Sequence, residues 1–366
     1  MTSLLKSGTI ALALGCAAVA PAAAQSVGPA VGNPIKKAVA LANGGNTAAA
    51  IQQVNAARAA AKNPTERTKV SQTAAYVYTR GGQWLAAARE LEQVGAGPRQ
   101  LAPYYYRAGQ YQKAIELAKR AGGQDMEVVM AQSYLKLNNP QAAADVYKRL
   151  IKSNPRPEWL GNLASIQYKT DRVGYLQTIR QLIKADPSPN NWKILLIGLK
   201  QQNMGTGAKF AVYELLRQTG NLTTSEDVQD FTKFAVLSGV PGAGARAIDE
   251  AAGANVVNKG DPMIARLVQV SEAKAREAQA AVGKGPIQAA NAAYGAGNFP
   301  QAAELYGRIA GANGPDTDQA RVLGGIALIR AGNAAAALRM LNAVSDKSAF
   351  KDVAELWALY AQTRRA

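Results

Sequence analysis

The chain has 366 residues, of which 42 are lysine or arginine and 25 are aspartate or glutamate, so its formal net charge is +17. It contains no histidine and a single cysteine, Cys16. These absences exclude most catalytic triads and Cys/His zinc sites, and the sequence predicts no metal site, no cofactor and no enzymatic activity.

Residues 1–24 have the pattern of a secretory signal peptide. Lys6 precedes an apolar stretch over residues 9–20, and small residues follow. We expect cleavage after Ala24, which removes the only cysteine, leaves a charge of +16 and delivers the mature chain to the periplasm. The apolar stretch is shorter than the roughly 20 residues of a spanning helix, so no membrane-spanning anchor is expected. Lipid attachment at Cys16 is the alternative to this cleavage.

The segment after the signal peptide is rich in Gly, Pro and Asn, which favour turns. We expect a flexible lead-in over residues 25–34 and helices from residue 35 onwards. Gly44, Gly45 and Asn46 then predict the turn of a first helical hairpin.

Between residues 126 and 187 the sequence nearly repeats itself at a step of 32 residues. Residues 146–155 return as residues 178–187, and each copy has helical periodicity and ends in Asn or Asp followed by proline. Because proline disfavours helical backbone in the residue before it, each copy is predicted to be a helix that stops there. A fixed step of this size indicates stacked pairs of helices.

Five predicted turns between amphipathic helices share a glycine or asparagine, which we use as the anchor of each repeat. The anchors are Gly82, Gly109, Asn138, Gly297 and Gly332. Both residue types tolerate the left-handed backbone conformation that closes a helix. The turns are therefore predicted to connect two antiparallel helices.

Other positions recur at fixed distances from the anchors. The residue seven positions before the anchor is small: Ala75, Ala102, Ala131, Ala290 and Gly325. The residue five positions after it is alanine: Ala87, Ala114, Ala143, Ala302 and Ala337. The residue nine positions after it is usually larger: Leu91, Ala118, Tyr147, Tyr306 and Leu341. Helices approach closely where both offer small side chains, so the first two positions predict the contact within each pair.

The small residue, the Gly or Asn turn, the alanine of the second helix and the closing proline resemble the tetratricopeptide repeat (TPR) family. The repeat that ends at Pro155 fits best, with Ala131, Tyr134, Ala143 and Tyr147. The resemblance implies an all-α fold, a right-handed α-solenoid of TPR-like antiparallel helix pairs over most of residues 35–366. It is weakest over residues 190–285, and the unequal spacings of 27, 29 and 35 residues between neighbouring anchors predict irregular repeats.

The predicted solenoid has one division. A longer helix over residues 263–282 ends at a Gly- and Pro-containing turn. We expect a TPR-like solenoid over residues 35–282, a hinge at residues 283–286 and a C-terminal pair over residues 287–366. A helix over residues 349–363 is predicted to cap this pair, and a partner-binding tail is the alternative for that helix.

Two short motifs resemble parts of catalytic sites but lack the required context. Residues 205–209 contain two glycines and a lysine, without the spacing of a phosphate-binding loop or a preceding strand. Asp249 and Glu250 are adjacent, so their carboxylates would point to different sides of a helix. The sequence therefore predicts no active site.

The resemblance implies that the first helix of each pair lines a concave face that holds a segment of another protein. The residues expected on or near this face are Tyr106, Arg107, Gln132, Lys136, Gln167 and Gln201. Residues 104–220 contain 17 basic and 8 acidic residues, which favours an acidic peptide or a glycan as the ligand. Ordinary exposed polar residues give the same pattern at any single position.

The sequence supports three functional hypotheses. The first is a noncatalytic periplasmic scaffold that mediates protein–protein interaction in cell-envelope assembly or transport. The second, motivated by the charge, is a binder of anionic envelope polysaccharide or cell-wall polymer. The third is a polysaccharide-cleaving enzyme built on carboxylates. Nucleic acid is not an expected partner, because an exported protein rarely meets it.

Overall fold

The computed structural model describes residues 27–312 and 314–364, with every side chain in these ranges except that of Lys169. Within them, all regular structure is helical, comprising twenty α-helices and one short 3-10 helix. The predicted all-α class is confirmed. The predicted signal peptide, residues 1–24, and the alternative lipid site at Cys16 lie outside the described residues.

The chain forms two compact units, and the division between Tyr175 and Leu176 falls inside one helix. Unit 1 contains α1 (Pro29–Asn43), α2 (Thr47–Ala60), α3 (Pro64–Arg80), α4 (Trp84–Gln93), α5 (Pro98–Arg107), α6 (Tyr111–Ala121), α7 (Gln124–Lys136), α8 (Pro140–Ser153), α9 (Pro157–Thr170) and the start of α10 (Arg172–Ala185). Unit 2 contains the rest of α10, then α11 (Pro189–Lys200), α12 (Thr206–Gln218), α13 (Ser225–Leu237), α14 (Pro241–Gly253), α15 (Pro262–Ala280), the 3-10 helix (Val282–Lys284), α16 (Pro286–Gly295), α17 (Phe299–Gly311), α18 (Thr317–Arg330), α19 (Ala334–Asn342) and α20 (Lys351–Thr363).

All five anchors have left-handed backbone, as predicted. The φ angles are 71° at Gly82, 76° at Gly109, 54° at Asn138, 82° at Gly297 and 81° at Gly332. Asparagine side chains begin the second helix in several pairs, since Asn139 Oδ1 accepts from the backbone N–H of Ala142 and Asn298 Oδ1 from that of Gln301. The short turn thus closes one helix and caps the next.

The small residues around each anchor form the contact within the helical pair. All ten are buried, and the five alanines after the anchors are 0% exposed. A Cβ atom at Gly325 would lie 2.6 Å from Leu341 Cγ, so α18 and α19 need a glycine there. The TPR-like α-solenoid of helix pairs is confirmed by this packing. In unit 1 each helix packs on the next helix or the next but one.

The structure differs from the predicted lead-in, because α1 begins at Pro29. Proline suits the first positions of a helix, where its missing N–H has no partner to lose. Val31 and Ile35 are both buried in a cluster with α2 and α3. Burial of these apolar side chains therefore outweighs the turn-forming composition of residues 25–34.

The predicted hinge at residues 283–286 does not divide the chain where expected. Its first residues form the 3-10 helix, and α16 packs against both α14 and α15 within unit 2. The backbones of α14 and α16 touch, since a Cβ atom at Gly242 would lie 2.5 Å from the carbonyl oxygen of Gly295. This backbone contact joins the segments before and after residues 283–286.

Helix α12 is the centre of unit 2. It is buried on all sides, since Ala208 and every residue from 210 to 216 are buried, and it packs on α11, α13, α18 and α20. Trp357 Nε1 donates to the carbonyl oxygen of Ala211 at 3.0 Å, and the Tyr360 hydroxyl donates to that of Gln218 at 3.2 Å. Helix α20 was predicted to cap the C-terminal pair. It packs on α19 and also covers α12, in the centre of unit 2.

Candidate partner-binding surface

Five of the six residues predicted for the concave face lie on first helices of unit 1. Tyr106 and Arg107 are at the end of α5, and Gln132 and Lys136 are on α7. Gln167 lies on α9. The sixth residue, Gln201, follows α11 in unit 2 and is exposed.

Basic residues recur two positions before the anchor on three successive first helices. Arg80 ends α3, Arg107 ends α5 and Lys136 ends α7, and all three are exposed. We call these three residues the basic ladder. Arg80 was not among the predicted site residues, although its distance from Gly82 equals that of Arg107 from Gly109. Aligning the repeats on their anchors is the signal that finds it.

Arg107 is held in place by aromatic rings. Its Cζ atom lies 4.7 Å from the centre of the Trp84 ring, and Trp84 meets Tyr104 edge to face at 6.0 Å. Such a cation–π contact contributes about 0.5–1 kcal/mol at an exposed site. The guanidinium is therefore oriented while it remains accessible to solvent.

Tyr106 and Gln132 lie beside a buried tyrosine. The ring of Tyr106 packs at 5.7 Å on that of Tyr111, and Gln132 Nε2 donates to the Tyr147 hydroxyl at 2.6 Å. Burial raises the pKa of Tyr147 to about 12. Gln167 is also buried. Gln132 is thus half-buried and Gln167 is buried, whereas Arg107 and Lys136 are exposed.

A cavity lies between the first helices α3 and α5, beside Arg80 of the basic ladder. Its volume is about 590 Å³, and its walls include Arg80, Gln72 and Tyr76 from α3 and Gln100 and Tyr104 from α5. The size is within the range of small-molecule and side-chain pockets. Amide, hydroxyl and guanidinium groups around an apolar floor suit a ligand with both apolar and polar atoms.

The positive charge is concentrated in unit 1. Residues 27–175 contain 20 basic and 9 acidic residues, an excess of +11. Residues 176–364 contain 20 basic and 16 acidic residues, an excess of only +4. The excess therefore lies in the unit that carries the basic ladder.

The carboxylates of the predicted acidic pair are engaged in ion pairs in unit 2. Asp249 Oδ1 lies 2.6 Å from Lys259 Nζ, and Glu250 Oε2 lies 2.6 Å from Arg217 Nη1. Among the described residues, no group of three His, Cys, Asp or Glu could hold a metal ion. In the same part of the chain, no helix combines the length and apolarity that a bilayer crossing requires.

A family model of the tetratricopeptide repeat matches residues 128–174 and 287–362, about a third of the chain. Each matched stretch contains a tyrosine nine residues after an anchor. This residue is Tyr147 in the first stretch and Tyr306 in the second. The comparison with curated protein sequences finds no match.

Three solved structures show distant similarity. A tetratricopeptide repeat protein from Parabacteroides merdae ATCC 43184 is 14% identical, with 67% of this chain and 100% of that chain covered and a TM-score of 0.36. Naa15/Naa10 bound to HypK-THB gives 14% identity, 90% and 62% coverage and a TM-score of 0.42. Yeast Tom70 gives 12% identity, 92% and 96% coverage and a TM-score of 0.22. TM-scores below 0.5 do not establish a shared overall arrangement.

The repeats that the family model matches have the left-handed turns and the buried alanine contacts described above. Repeats of this kind generally serve as scaffolds for protein–protein interaction. The chain therefore contains tetratricopeptide repeats, over residues 128–174 and 287–362.

Proposed function

We propose that the protein is a noncatalytic periplasmic scaffold that docks partner proteins in cell-envelope assembly or transport. The basic ladder is the docking site, and its ligand is an acidic segment of the partner. The observation that carries this proposal is the recurrence of an exposed cation at one repeat position in α3, α5 and α7.

Each basic side chain alone has an ordinary structural explanation. Lys and Arg in the last turn of a helix interact favourably with the helix dipole. Three of them on consecutive first helices nevertheless give a row of positive charge, and the +11 excess of unit 1 adds a long-range field. An extended acidic segment along the first helices would place carboxylates against successive members of the row.

The periplasmic part of the proposal is supported by the signal-peptide pattern of residues 1–24. N-terminal sequencing of the mature protein from a periplasmic fraction tests it, with Gln25 as the expected first residue. A cytoplasmic protein that begins at residue 1 would contradict this part alone.

The docking part is tested by crosslinking in cells that express the full chain, followed by affinity purification. The variant Arg80→Glu/Arg107→Glu/Lys136→Glu is expected to lose the crosslinked proteins that the unchanged chain recovers. The matched control is Lys36→Glu/Lys37→Glu/Lys148→Glu, which changes the net charge equally at three other exposed residues of unit 1. Equal loss in both variants, or recovery of no protein above background, would overturn the docking site.

A second candidate function is binding of an anionic envelope polysaccharide or cell-wall polymer. The +11 excess of unit 1 favours it, because a polyanion responds to total charge more than to one row of residues. The test is retention on immobilised polymer with elution by salt, which weakens ionic contacts. Equal loss of retention in the two triple variants is expected for this function, whereas no retention of the unchanged protein would exclude it.

A further inference from the structure

The interior of unit 2 contains a cluster of charged side chains around α12. Glu214 is 0% exposed and accepts from Arg217 twice, at 3.0 Å from Nε and 2.6 Å from Nη2. Arg330, from α18, donates to the same carboxylate at 3.3 Å. This carboxylate is thus shared by two guanidinium groups.

Two donors beside this cluster have no protein partner. Tyr294 is 0% exposed, and its hydroxyl makes no hydrogen bond to the protein. The Nη1 atom of Arg246 is likewise buried and unpartnered, although its Nη2 atom donates to the carbonyl oxygen of Tyr294 at 3.1 Å. Buried donors of this kind are rare in proteins because leaving one unpaired destabilises the folded state.

The two donors face the same group of charges. Tyr294 interacts electrostatically with Glu214, Arg217 and Arg330, and Arg246 interacts with the same three residues. Both also lie against one ring, since Phe299 is 5.5 Å from the Tyr294 ring and 5.7 Å from Arg246 Cζ. The unpartnered hydroxyl and the unpartnered Nη1 atom thus belong to side chains with the same three charged residues and the same aromatic ring as neighbours.

This site has an excess of positive charge. Arg217 and Arg330 pair with one fully buried carboxylate, Glu214, and Arg217 also pairs with Glu250, which is 54% exposed. Arg246 adds a third positive charge beside them. Burial, the largest cause, together with repulsion from Arg217 and Arg330, lowers the pKa of Arg246. An added negative charge would relieve this repulsion and accept both unpartnered hydrogens.

We propose that chloride, or another inorganic anion of that size, binds between the Tyr294 hydroxyl and the Nη1 atom of Arg246. A cation is disfavoured because the guanidinium only donates and the local charge is already positive. A large anion is disfavoured because both donor atoms are sealed from solvent. The site stabilises unit 2 from within and is separate from the docking site proposed for unit 1.

The first test uses bromide, which replaces chloride and scatters anomalously. Crystals of the full chain are soaked in sodium bromide and data are collected at the bromine absorption edge. We expect an anomalous peak within hydrogen-bonding distance of both Arg246 Nη1 and the Tyr294 hydroxyl. Water density without an anomalous peak there would overturn the proposal.

The second test measures unfolding in solution at constant ionic strength, with chloride exchanged for gluconate. Because ligand that binds only the folded state shifts the equilibrium by mass action, a tenfold rise in saturating chloride should raise the folding constant about tenfold. Tyr294→Phe should abolish this chloride dependence. The matched control is Tyr306→Phe, which removes an equally buried hydroxyl that already bonds to Asn291 and should keep the dependence. Equal chloride responses in the two variants would contradict the site.

Discussion

The hydroxyl of Tyr306 donates a hydrogen bond of 2.7 Å to Asn291 Oδ1, across the two helices of one repeat. Tyr147 and Gln132 form the corresponding pair at 2.6 Å. In both pairs the amide lies six residues before the anchor and the tyrosine nine residues after it. The bond occurs once in each of the two stretches that match the family model. It adds a directional polar contact to the apolar contact of the alanines.

We expect Tyr147→Phe to lower the free energy of unfolding by about 1 kcal/mol, because the half-buried Gln132 amide loses its acceptor. Urea denaturation followed by circular dichroism measures this difference. Tyr168→Phe is the control, since that tyrosine is exposed and its hydroxyl group should contribute less than about 0.5 kcal/mol. Equal effects of the two substitutions would show that the Gln132 bond adds nothing to stability.

The same tyrosine should make the stability of the protein depend on pH in the alkaline range. Burial raises the pKa of Tyr147 from 10.0 to about 12 in the folded chain. The unfolded chain therefore loses this proton first, so the contribution of Tyr147 is complete below pH 10.0 and falls as the pH rises towards 12. We expect the unchanged protein to lose more stability over this pH range than Tyr147→Phe does, in urea titrations at each pH. Parallel losses would mean that Tyr147 ionises equally easily in both states.

Gly325→Ala should destabilise unit 2, because the added methyl group would lie 2.6 Å from Leu341 Cγ. Overpacking of this kind costs about 1–3 kcal/mol. Gly161→Ala is the opposite case, since nothing lies within 4 Å of its Cβ position in α9. There the better helix propensity of alanine should stabilise the chain by up to about 1 kcal/mol. Thermal unfolding of both variants measures the signs, and a stabilising Gly325→Ala would contradict the close approach of α18 and α19.

Glu214→Gln should cost about 3 kcal/mol, because it leaves the partly buried Arg217 and Arg330 without their shared counter-charge. Glu250→Gln removes the other carboxylate on Arg217 but should cost less than about 1 kcal/mol, since Glu250 is half exposed. Denaturant titration compares the two. Similar costs would show that the burial of Glu214 does not determine how much its charge contributes to the free energy of unfolding.

Trp357→Ala should weaken α12 more than any helix of unit 1. It removes a fully buried ring and the hydrogen bond to the carbonyl oxygen of Ala211, and losses of this kind cost about 3–5 kcal/mol. Amide hydrogen exchange should rise in α12 and stay unchanged in α5. Trp84→Ala, at a half-buried ring of unit 1, is expected to leave α12 protected. Unchanged exchange in α12 of Trp357→Ala would show that α20 does not hold it.

The repeat architecture could be predicted because its signals are local. Gly82, Asn138 and Gly297 mark turns through their own backbone preferences, and Ala102 and Ala114 meet across a single turn. The same reasoning missed Arg80 only because the repeats were not compared at that position. Two members of the basic ladder, Arg107 and Lys136, were predicted from the family resemblance.

Other features depend on contacts that no local pattern specifies. Residues predicted as a flexible lead-in instead form the start of α1, because Val31 is buried there against α2 and α3. The sequence around Val31 does not specify these contacts. The division expected at residues 283–286 disappears because Gly242 and Gly295 bring two backbones together. The pairing of Tyr360 with Gln218 spans 142 residues, and neither residue has a local feature that points to the other.

Because α20 packs against α12, the fold of unit 2 can be completed only after the end of the chain has been made. Helices of unit 1 contact near neighbours in the sequence, so each can pack soon after it leaves the ribosome. The carbonyl oxygen of Ala211 accepts a hydrogen bond from a tryptophan made 146 residues later, and until then the side of α12 that α20 covers stays exposed. The packing of unit 2 around α12 is therefore completed only when its last helix, α20, has been made.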